Sequence, residues 1–220
     1  TIAAASYEAH WAADGRLYLS GADFNSSFVS VIEGLGVGAP TVRRVIDHIG
    51  GASAGVTVRD GFLYTANGFD LDDGSGSGTG DVRAFALDAI TRGAAADFEA
   101  DGVLVASALS GHTLAFDALG NLAIGGGDFL NPAQFGFASI VDGAAIEAAL
   151  AGLGAAADAD EQWISPAGSN TYGALFNAFT GEYLVWGYAD GVIYRYAVPA
   201  PGAALALLGG LLLEGRRRRG

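Results

Sequence analysis

The sequence predicts an all-β fold made of repeated units, and three observations lead to this prediction. Four segments share the pattern Gly-x-apolar-x-apolar, each follows a turn sequence, and each is followed by a polar or Gly-rich loop and a further apolar strand. The four segments are 15–19, 61–65, 120–124 and 181–185. Their first residues, which we call the anchor glycines, recur at spacings of 46, 59 and 61 residues.

Each unit is interpreted as a set of short antiparallel strands. A first strand precedes the anchor glycine, as at 56–58 and 113–116, and a second strand starts at the glycine. Third strands are predicted at 28–32, 82–87, 136–141 and 192–197, and outer fourth strands at 41–46 and 102–106. Three or four strands in about 45–60 residues are typical of a β-propeller blade. We therefore expect residues 1–197 to form a β-propeller-like array of about four antiparallel blades; a β-sandwich or meander with Gly turns is the alternative.

One segment departs from the strand pattern and predicts a short helix. Residues 142–150 are rich in Ala, and Ile146 and Leu150 lie four positions apart. Asp142 is the predicted N-cap. The Ala-rich residues 152–160 are expected to be a connector after this helix.

The beginning of the chain and the number of units suggest an incomplete array. Residue 1 is Thr, no leader pattern follows it, and four units are at the lower limit of the 4–8 blades that propellers use. We expect blades to be missing on the N-terminal side.

Composition and charge exclude several classes of function. The 220 residues carry a net charge of −13 and include no Cys, so disulfide frameworks and Cys-ligated metals are excluded. An excess of 24 acidic over 11 basic residues makes nucleic acid an unsuitable partner. The basic residues are unevenly placed, since four of them are consecutive: Arg216, Arg217, Arg218 and Arg219.

The last 23 residues combine three parts in a fixed order. Val198, Pro199, Ala200 and Pro201 form a Pro motif that ends the last strand, residues 203–213 form an apolar run, and the Arg cluster follows. A cationic cluster after an apolar segment stays on the cytoplasmic side of a membrane and stops translocation. We expect 198–220 to be a separate unit with a short transmembrane helix.

This order resembles the PEP-CTERM sorting signal of exosortase substrates in Gram-negative bacteria. The family usually has Val-Pro-Glu-Pro, so Ala200 is a departure, and an apolar run of 11 residues is shorter than an ordinary membrane span. Segments 116–129 and 141–150 look like repeats of exported PEP-CTERM β-propeller proteins. The resemblance implies export through the Sec machinery, recognition by exosortase in the inner membrane, and a final location at the cell surface or in the extracellular matrix.

An acidic loop is the clearest candidate for a metal site. Asp70, Asp72, Asp73 and Asp81 lie in a twelve-residue segment rich in Gly and Ser, and Ca²⁺ prefers several carboxylate and carbonyl oxygens on a flexible loop. The flanks are predicted strands and position 12 is Asp81, so the loop is not an EF-hand. The alternative is a solvated acidic hairpin loop.

No catalytic site is predicted. His10, His48 and His112 are isolated, and Ser110 lacks the strand-to-helix turn of a hydrolase nucleophile. The favoured function is a non-catalytic interaction or structural module. One alternative is a propeller enzyme, for which the candidate rim residues are Asn67, Asp128 and Asn177. Another is a polysaccharide-binding module that uses exposed aromatic residues, although Trp11, Trp163 and Trp186 are predicted mainly to pack between blades.

Overall fold

The computed structural model describes residues 6–22, 26–50, 55–68, 80–108, 111–126, 136–159, 171–187 and 191–198. Strands predominate in these residues, which confirms the all-β prediction. The elements are β1 (Ser6–Trp11), β2 (Leu17–Ala22), β3 (Ser26–Glu33), β4 (Thr41–Gly50), β5 (Val56–Arg59), β6 (Phe62–Ala66), β7 (Val82–Ala86), α1 (Leu87–Ile90), β8 (Ala96–Asp97), α2 (Phe98–Asp101), β9 (Val103–Ser107), β10 (Thr113–Phe116), β11 (Leu122–Gly126), β12 (Phe137–Val141), α3 (Gly143–Leu150), β13 (Ala157–Asp158), β14 (Thr171–Asn177), β15 (Glu182–Gly187) and β16 (Ile193–Ala197).

The strands form four sheets, each built mainly from antiparallel neighbours that follow one another along the chain. Sheet 1 has the order β1-β2-β3-β4-β8, sheet 2 β5-β6-β7-β9-β13, sheet 3 β10-β11-β12 and sheet 4 β14-β15-β16. None of these strand orders closes on itself within the described residues. The predicted third strands correspond to β3, β7, β12 and β16, and the predicted fourth strands to β4 and β9.

The anchor glycines join the first and second strands of all four sheets. Gly15, Gly61, Gly120 and Gly181 have φ angles of +82°, +82°, +92° and +68°. An L-residue pays a steric penalty in this left-handed region, and glycine does not. In sheet 2 Asp60 also has a positive φ of +49°, so Asp60-Gly61 makes the two-residue hairpin turn that favours the twist of antiparallel strands.

Two very short strands were not predicted, and both pair in parallel with the edge of the preceding sheet. Ala96 of β8 lies opposite Ile46 of β4, and Ala157 of β13 lies opposite Ala106 of β9. Each contains only the dipeptide Ala-Asp, which carries no alternation that sequence patterns could detect. As a result, part of the segment predicted as a connector at 152–160 is a strand.

The predicted helix is α3, and its N-cap is confirmed. The side chain of Asp142 accepts a hydrogen bond from Ala144 N at 2.8 Å, and Ile146 and Ala149 are buried. Two single-turn helices were missed. Leu87, predicted to end a strand, begins α1 instead, and α2 is capped by Asp97, which accepts hydrogen bonds from two backbone N–H groups.

The core consists of three clusters, each shared by consecutive sheets. The first joins sheets 1 and 2 and includes Tyr18 and Phe85. The second joins sheets 2 and 3 and includes Tyr64 and Ile124, with α3 packed against it. The third joins sheets 3 and 4 and includes Tyr183. The sheets therefore pack face to face in the order in which the chain makes them.

The predicted sorting unit lies almost entirely outside the described residues, which end at Val198. Within the described part of the chain, no helix has both the length and the apolar character needed to cross a membrane.

Candidate functional site

A cavity of about 390 Å³ is lined by the first strand of every sheet. This volume lies within the range of ordinary ligand pockets. Its lining consists of His10 from β1, Thr57, Val58 and Arg59 from β5, Leu114, Ala115 and Phe116 from β10, and Leu175 and Phe176 from β14. We call it the central cavity, because the four sheets meet there.

Hydrogen bonds connect each first strand to the next and so fix the walls of the central cavity. A side-chain carboxyl oxygen of Glu8 on β1 accepts a hydrogen bond from Val56 N on β5 at 2.5 Å. Between sheets 2 and 3, Gly55 N donates to Gly111 O at 2.8 Å. Between sheets 3 and 4, Ala174 N donates to the Thr113 hydroxyl at 2.8 Å.

The central cavity lies toward the anchor-glycine ends of the sheets. His10, Arg59 and Phe116 are at or next to the last residue of their strands, and each strand is followed by its anchor turn. The four anchor turns therefore surround the same end of the array. We call this end the anchor face.

His10 and Thr57 give the cavity neutral hydrogen-bonding groups. Thr57 Oγ1 and His10 Nδ1 lie 3.3 Å apart, within hydrogen-bond distance. Burial lowers the pKa of the half-buried His10 below its ordinary value, because desolvation disfavours the charged imidazolium. The imidazole is thus neutral at pH 7 and retains one donor and one acceptor nitrogen.

Arg59 is the one permanently charged residue of the lining, and its charge is already compensated. Its Nε donates to the Asp60 carboxylate at 2.9 Å, and one Nη donates to the Asp117 carbonyl at 2.7 Å. The guanidinium lies 5.4 Å from the centre of the Phe116 ring. These contacts hold Arg59 against the wall between sheets 2 and 3.

Aromatic rings line the cavity and continue onto the anchor face. Phe116 and Phe176 are each fixed by an edge-to-face contact with a tyrosine, at 4.8 Å from Tyr64 and 5.4 Å from Tyr183. On the anchor face, Phe179 is fully exposed in its turn.

The tryptophans differ in exposure and packing. Trp11, which directly follows His10, is 60% exposed, so the expectation that it packs between blades is wrong for this residue. The Trp186 ring packs within its own sheet, against Gly173 on the adjacent strand β14. Trp163 lies outside the described residues.

The histidines predicted to be isolated remain apart. His48 is exposed and pairs with Asp97 at 2.9 Å. His112 is buried next to β10, and this burial lowers its pKa to about 3, so it is neutral in the native protein. Only His10 faces the central cavity.

The rim residues proposed for an enzyme do not converge. Asn67 follows β6 and lies at the end of sheet 2 that is remote from its anchor turn, whereas Asn177 directly precedes the anchor turn of sheet 4. The two amides are therefore at opposite ends of the array. Asp128 lies outside the described residues.

One of the four predicted metal ligands is described. Asp81 directly precedes β7, and its carboxylate lies 3.5 Å from an Nη of Arg83. Partial burial raises its pKa above the ordinary value, although Arg83 opposes this rise. Asp70, Asp72 and Asp73 lie outside the described residues. Among those that are described, no three His, Asp or Glu side chains are grouped to hold a metal ion.

Of the predicted sorting motif, only Val198 is described, and its N–H donates to the Gly181 carbonyl at 3.2 Å. This bond continues the pairing of β16 with β15 up to the first proline. Pro199, Ala200, Pro201 and the Arg cluster at 216–219 lie outside the described residues.

Sequence reasoning missed the central cavity, although a signal for it was present. The lining residues lie within the six positions before each anchor glycine. Aligning the four units with gaps in the turns would have placed His10, Thr57, Ala115 and Leu175 in corresponding places, because each lies opposite the residue three positions after its anchor glycine. Such an alignment would not show that the four first strands meet around one cavity.

Comparisons with known proteins do not show a family for this chain. No protein-family model matches the chain, and no curated protein matches it either. The chain is similar to a chain of a solved structure, described as "Crystal structure of Nidogen/Laminin Complex", with 11% sequence identity and a TM-score of 0.49. The match covers 90% of this chain and 65% of that one, so this chain spans less than two thirds of that protein chain.

Proposed function

We propose that the chain is an exported, non-catalytic binding module with a β-propeller-like body, whose ligand site is the central cavity. The observation that carries this proposal is the lining of one cavity by the first strand of all four sheets. In a propeller the innermost strands of the blades surround a central channel. A sandwich or a meander gives no reason for equivalent strands of successive units to meet.

Two further features support the blade arrangement. Each core cluster is shared by consecutive sheets. In every sheet the first three strands also lie side by side in the order in which they occur along the chain. Equivalent positions before the anchor glycines also point to the same cavity. Binding at the axis requires no catalytic group, and the cavity lining offers hydrogen-bonding and aromatic contacts instead.

Cross-linking tests this arrangement. The chain has no native cysteine, so only the introduced thiols can be joined. The double variant His10→Cys/Leu175→Cys places thiols on the first strands of sheets 1 and 4. We expect a short bismaleimide to join them rapidly within one chain. The matched control, Val37→Cys/Leu175→Cys, pairs the same strand of sheet 4 with the exposed β3–β4 turn, where no link is expected. Equal yields for the two pairs, or a link only in the control, would contradict the array.

The proposal also includes sorting through residues 198–220. The support is the order of the Pro motif, the apolar run and the Arg cluster in the sequence. Exosortase and the Sec machinery are the implied partners, and the cell surface or extracellular matrix is the implied destination.

Fractionation of a Gram-negative host that carries an exosortase tests this second part. Replacing Arg216–Arg219 by Gln, or Pro199 and Pro201 by Ala, is expected to stop processing and leave the chain unprocessed. Replacing the four Arg by Lys preserves the charge and serves as the control. Normal processing of the Gln variant, or of the native chain in a host without exosortase, would overturn the sorting proposal.

A further inference from the structure

The central cavity combines three properties that together restrict the chemistry of its ligand. It has neutral polar groups that can both donate and accept hydrogen bonds, rigidly held aromatic rings, and a single cation whose charge is already paired. The polar groups disfavour an apolar ligand, the paired cation disfavours an anionic one, and the aromatic rings favour a ligand with flat apolar faces.

A purely apolar ligand is disfavoured by the polar wall. Such a ligand would cover the half-buried imidazole of His10 and would offer no hydrogen bond to its ring nitrogens, one of which faces the buried Thr57 hydroxyl. Burying a polar group without a compensating hydrogen bond carries an energetic cost. A ligand with hydroxyl groups avoids this cost, because a hydroxyl both donates and accepts.

An anionic ligand is disfavoured by the charge balance. Arg59 donates its Nε to the Asp60 carboxylate and one Nη to the Asp117 carbonyl, so its charge is already paired, and an incoming carboxylate would also be repelled by Asp60. The lowered pKa of His10 prevents it from supplying a second positive charge near neutral pH. The chain as a whole carries −13, which repels polyanions.

Aromatic rings supply the remaining contact. Phe116 and Phe176 are fixed in the wall, and Phe179 is exposed in the anchor turn of sheet 4. The flat C–H faces of a pyranose ring pack against aromatic rings, which combine a large apolar area with few rotatable bonds. Rings both inside and outside the cavity suit a ligand longer than one sugar.

From these observations we infer that the central cavity binds an uncharged saccharide, with one sugar ring inside the cavity and adjoining rings against Phe179 on the anchor face. This inference rests on the proposed function and adds the ligand class to it. The alternative, an acidic polysaccharide, is an outcome of the test.

The test is calorimetric titration of the full chain with neutral hexasaccharides and an acidic one. Cello-, malto-, manno- and xylohexaose are the neutral probes, and hexagalacturonate is the acidic probe. We expect at least one neutral probe to bind at least about 10-fold more tightly than hexagalacturonate. Tighter binding of hexagalacturonate, or no binding of any neutral probe, would overturn the inference.

Three variants locate the binding. Phe179→Ala removes an exposed ring without opening the core and is expected to weaken binding at least about 10-fold, equivalent to 1.4 kcal/mol. His10→Ala is expected to do the same, and His10→Gln, which keeps a neutral donor and acceptor, to recover part of the affinity. Leu153→Ala, at an exposed apolar position outside the cavity, is the control with native affinity. Unchanged affinity of Phe179→Ala would overturn the assigned site.

The cross-linking pair at positions 10 and 175 separates this inference from the proposed function. A link without saccharide binding overturns only the ligand class. Failure of the link overturns the array itself, whatever the saccharides do.

Discussion

Glu8 accepts a hydrogen bond from the backbone N–H of Val56 at 2.5 Å, and through this bond a side chain of sheet 1 holds the start of sheet 2. The same carboxyl oxygen also accepts a hydrogen bond from the N–H of Leu114, a residue of sheet 3, at 3.3 Å. The backbone of Glu8 is itself held by the Ser20 hydroxyl at 2.9 Å. One acidic residue therefore joins the first strands of three sheets beside the central cavity.

The first prediction concerns pH. Burial raises the pKa of Glu8 from 4.5 to about 8, although the bonds from Val56 and Leu114 oppose this rise. The native state thus binds this proton more tightly than the unfolded state does. The resulting stabilisation is complete below about pH 4.5 and is lost as the pH rises to about 8, with a limiting slope of about 1.4 kcal/mol per pH unit.

Urea unfolding of the native chain and of Glu8→Gln from pH 4.5 to 9 measures this contribution. Gln is neutral at every pH and keeps an acceptor oxygen, so the variant is expected to lose the Glu8 slope. His112 also contributes to the pH dependence, because its lowered pKa makes stability increase with pH over about pH 3 to 6.5. This contribution is the same in both chains and cancels when their profiles are compared. Parallel profiles for the two chains would show that Glu8 does not titrate as its burial requires.

The second prediction concerns the anchor turns. Gly61 has a φ of +82° and open space around its Cα, so Gly61→Ala adds backbone strain without a steric clash. We expect a loss of about 1–2 kcal/mol in the free energy of unfolding. Gly93 also has open space but no positive φ, so Gly93→Ala is the matched control and should change stability by less than about 1 kcal/mol. Equal losses of stability in the two variants would show that the positive φ of the anchor turn does not require glycine.

The anchor glycines also explain which parts of the fold were predictable. A turn followed by alternating apolar residues is local, so the strands around Gly15 and Gly120 could be located from sequence alone. The strands at Ala96 and Ala157 could not, because two residues form no period and their partners lie about 50 residues away.

The candidate site was less predictable, for a similar reason. Glu8 and His10 alternate with other residues on β1 as solvent-facing residues would, and only the contact between sheets encloses them. Trp11 shows the opposite error, since an aromatic residue beside a turn suggests packing but is exposed here.

The third prediction concerns the turn before β11. The buried Asp117 carboxylate accepts from Leu119 N, Asn121 N and Asn121 Nδ2 at 2.8–2.9 Å. Replacing Asp117 by Ala leaves these donors without an acceptor, and we expect a loss of about 2–4 kcal/mol in the free energy of unfolding. Asp14→Ala removes the exposed acid at the turn of sheet 1, where the ion pair with Arg16 is worth less than about 1 kcal/mol. Thermal or urea denaturation of both variants measures these losses. Similar losses of stability in the two variants would show that the hydrogen bonds of Asp117 do not stabilise the turn more than an exposed ion pair does.

The fourth prediction concerns calcium. If the loop that ends at Asp81 binds Ca²⁺, addition of Ca²⁺ raises the melting temperature, and removal by EDTA reverses the change. Asp72→Asn/Asp73→Asn is expected to abolish this response, whereas Asp14→Asn, at an exposed acid in the turn of sheet 1, should retain it. Melting that does not depend on Ca²⁺ would leave a solvated acidic loop, with Asp81 held by Arg83.

The fifth prediction tests the close packing within sheet 4. A Cβ added at Gly173 would overlap the ring of Trp186, which lies opposite it on β15. Overpacking of this kind typically costs about 1–3 kcal/mol, so we expect Gly173→Ala to lower the free energy of unfolding by that amount. In Gly173→Ala/Trp186→Val the smaller side chain leaves room for the added methyl group. The double variant should therefore lose less stability than the sum of the two single changes, a coupling that a double-mutant cycle measures directly. Strict additivity would mean that residue 173 and the Trp186 ring do not touch.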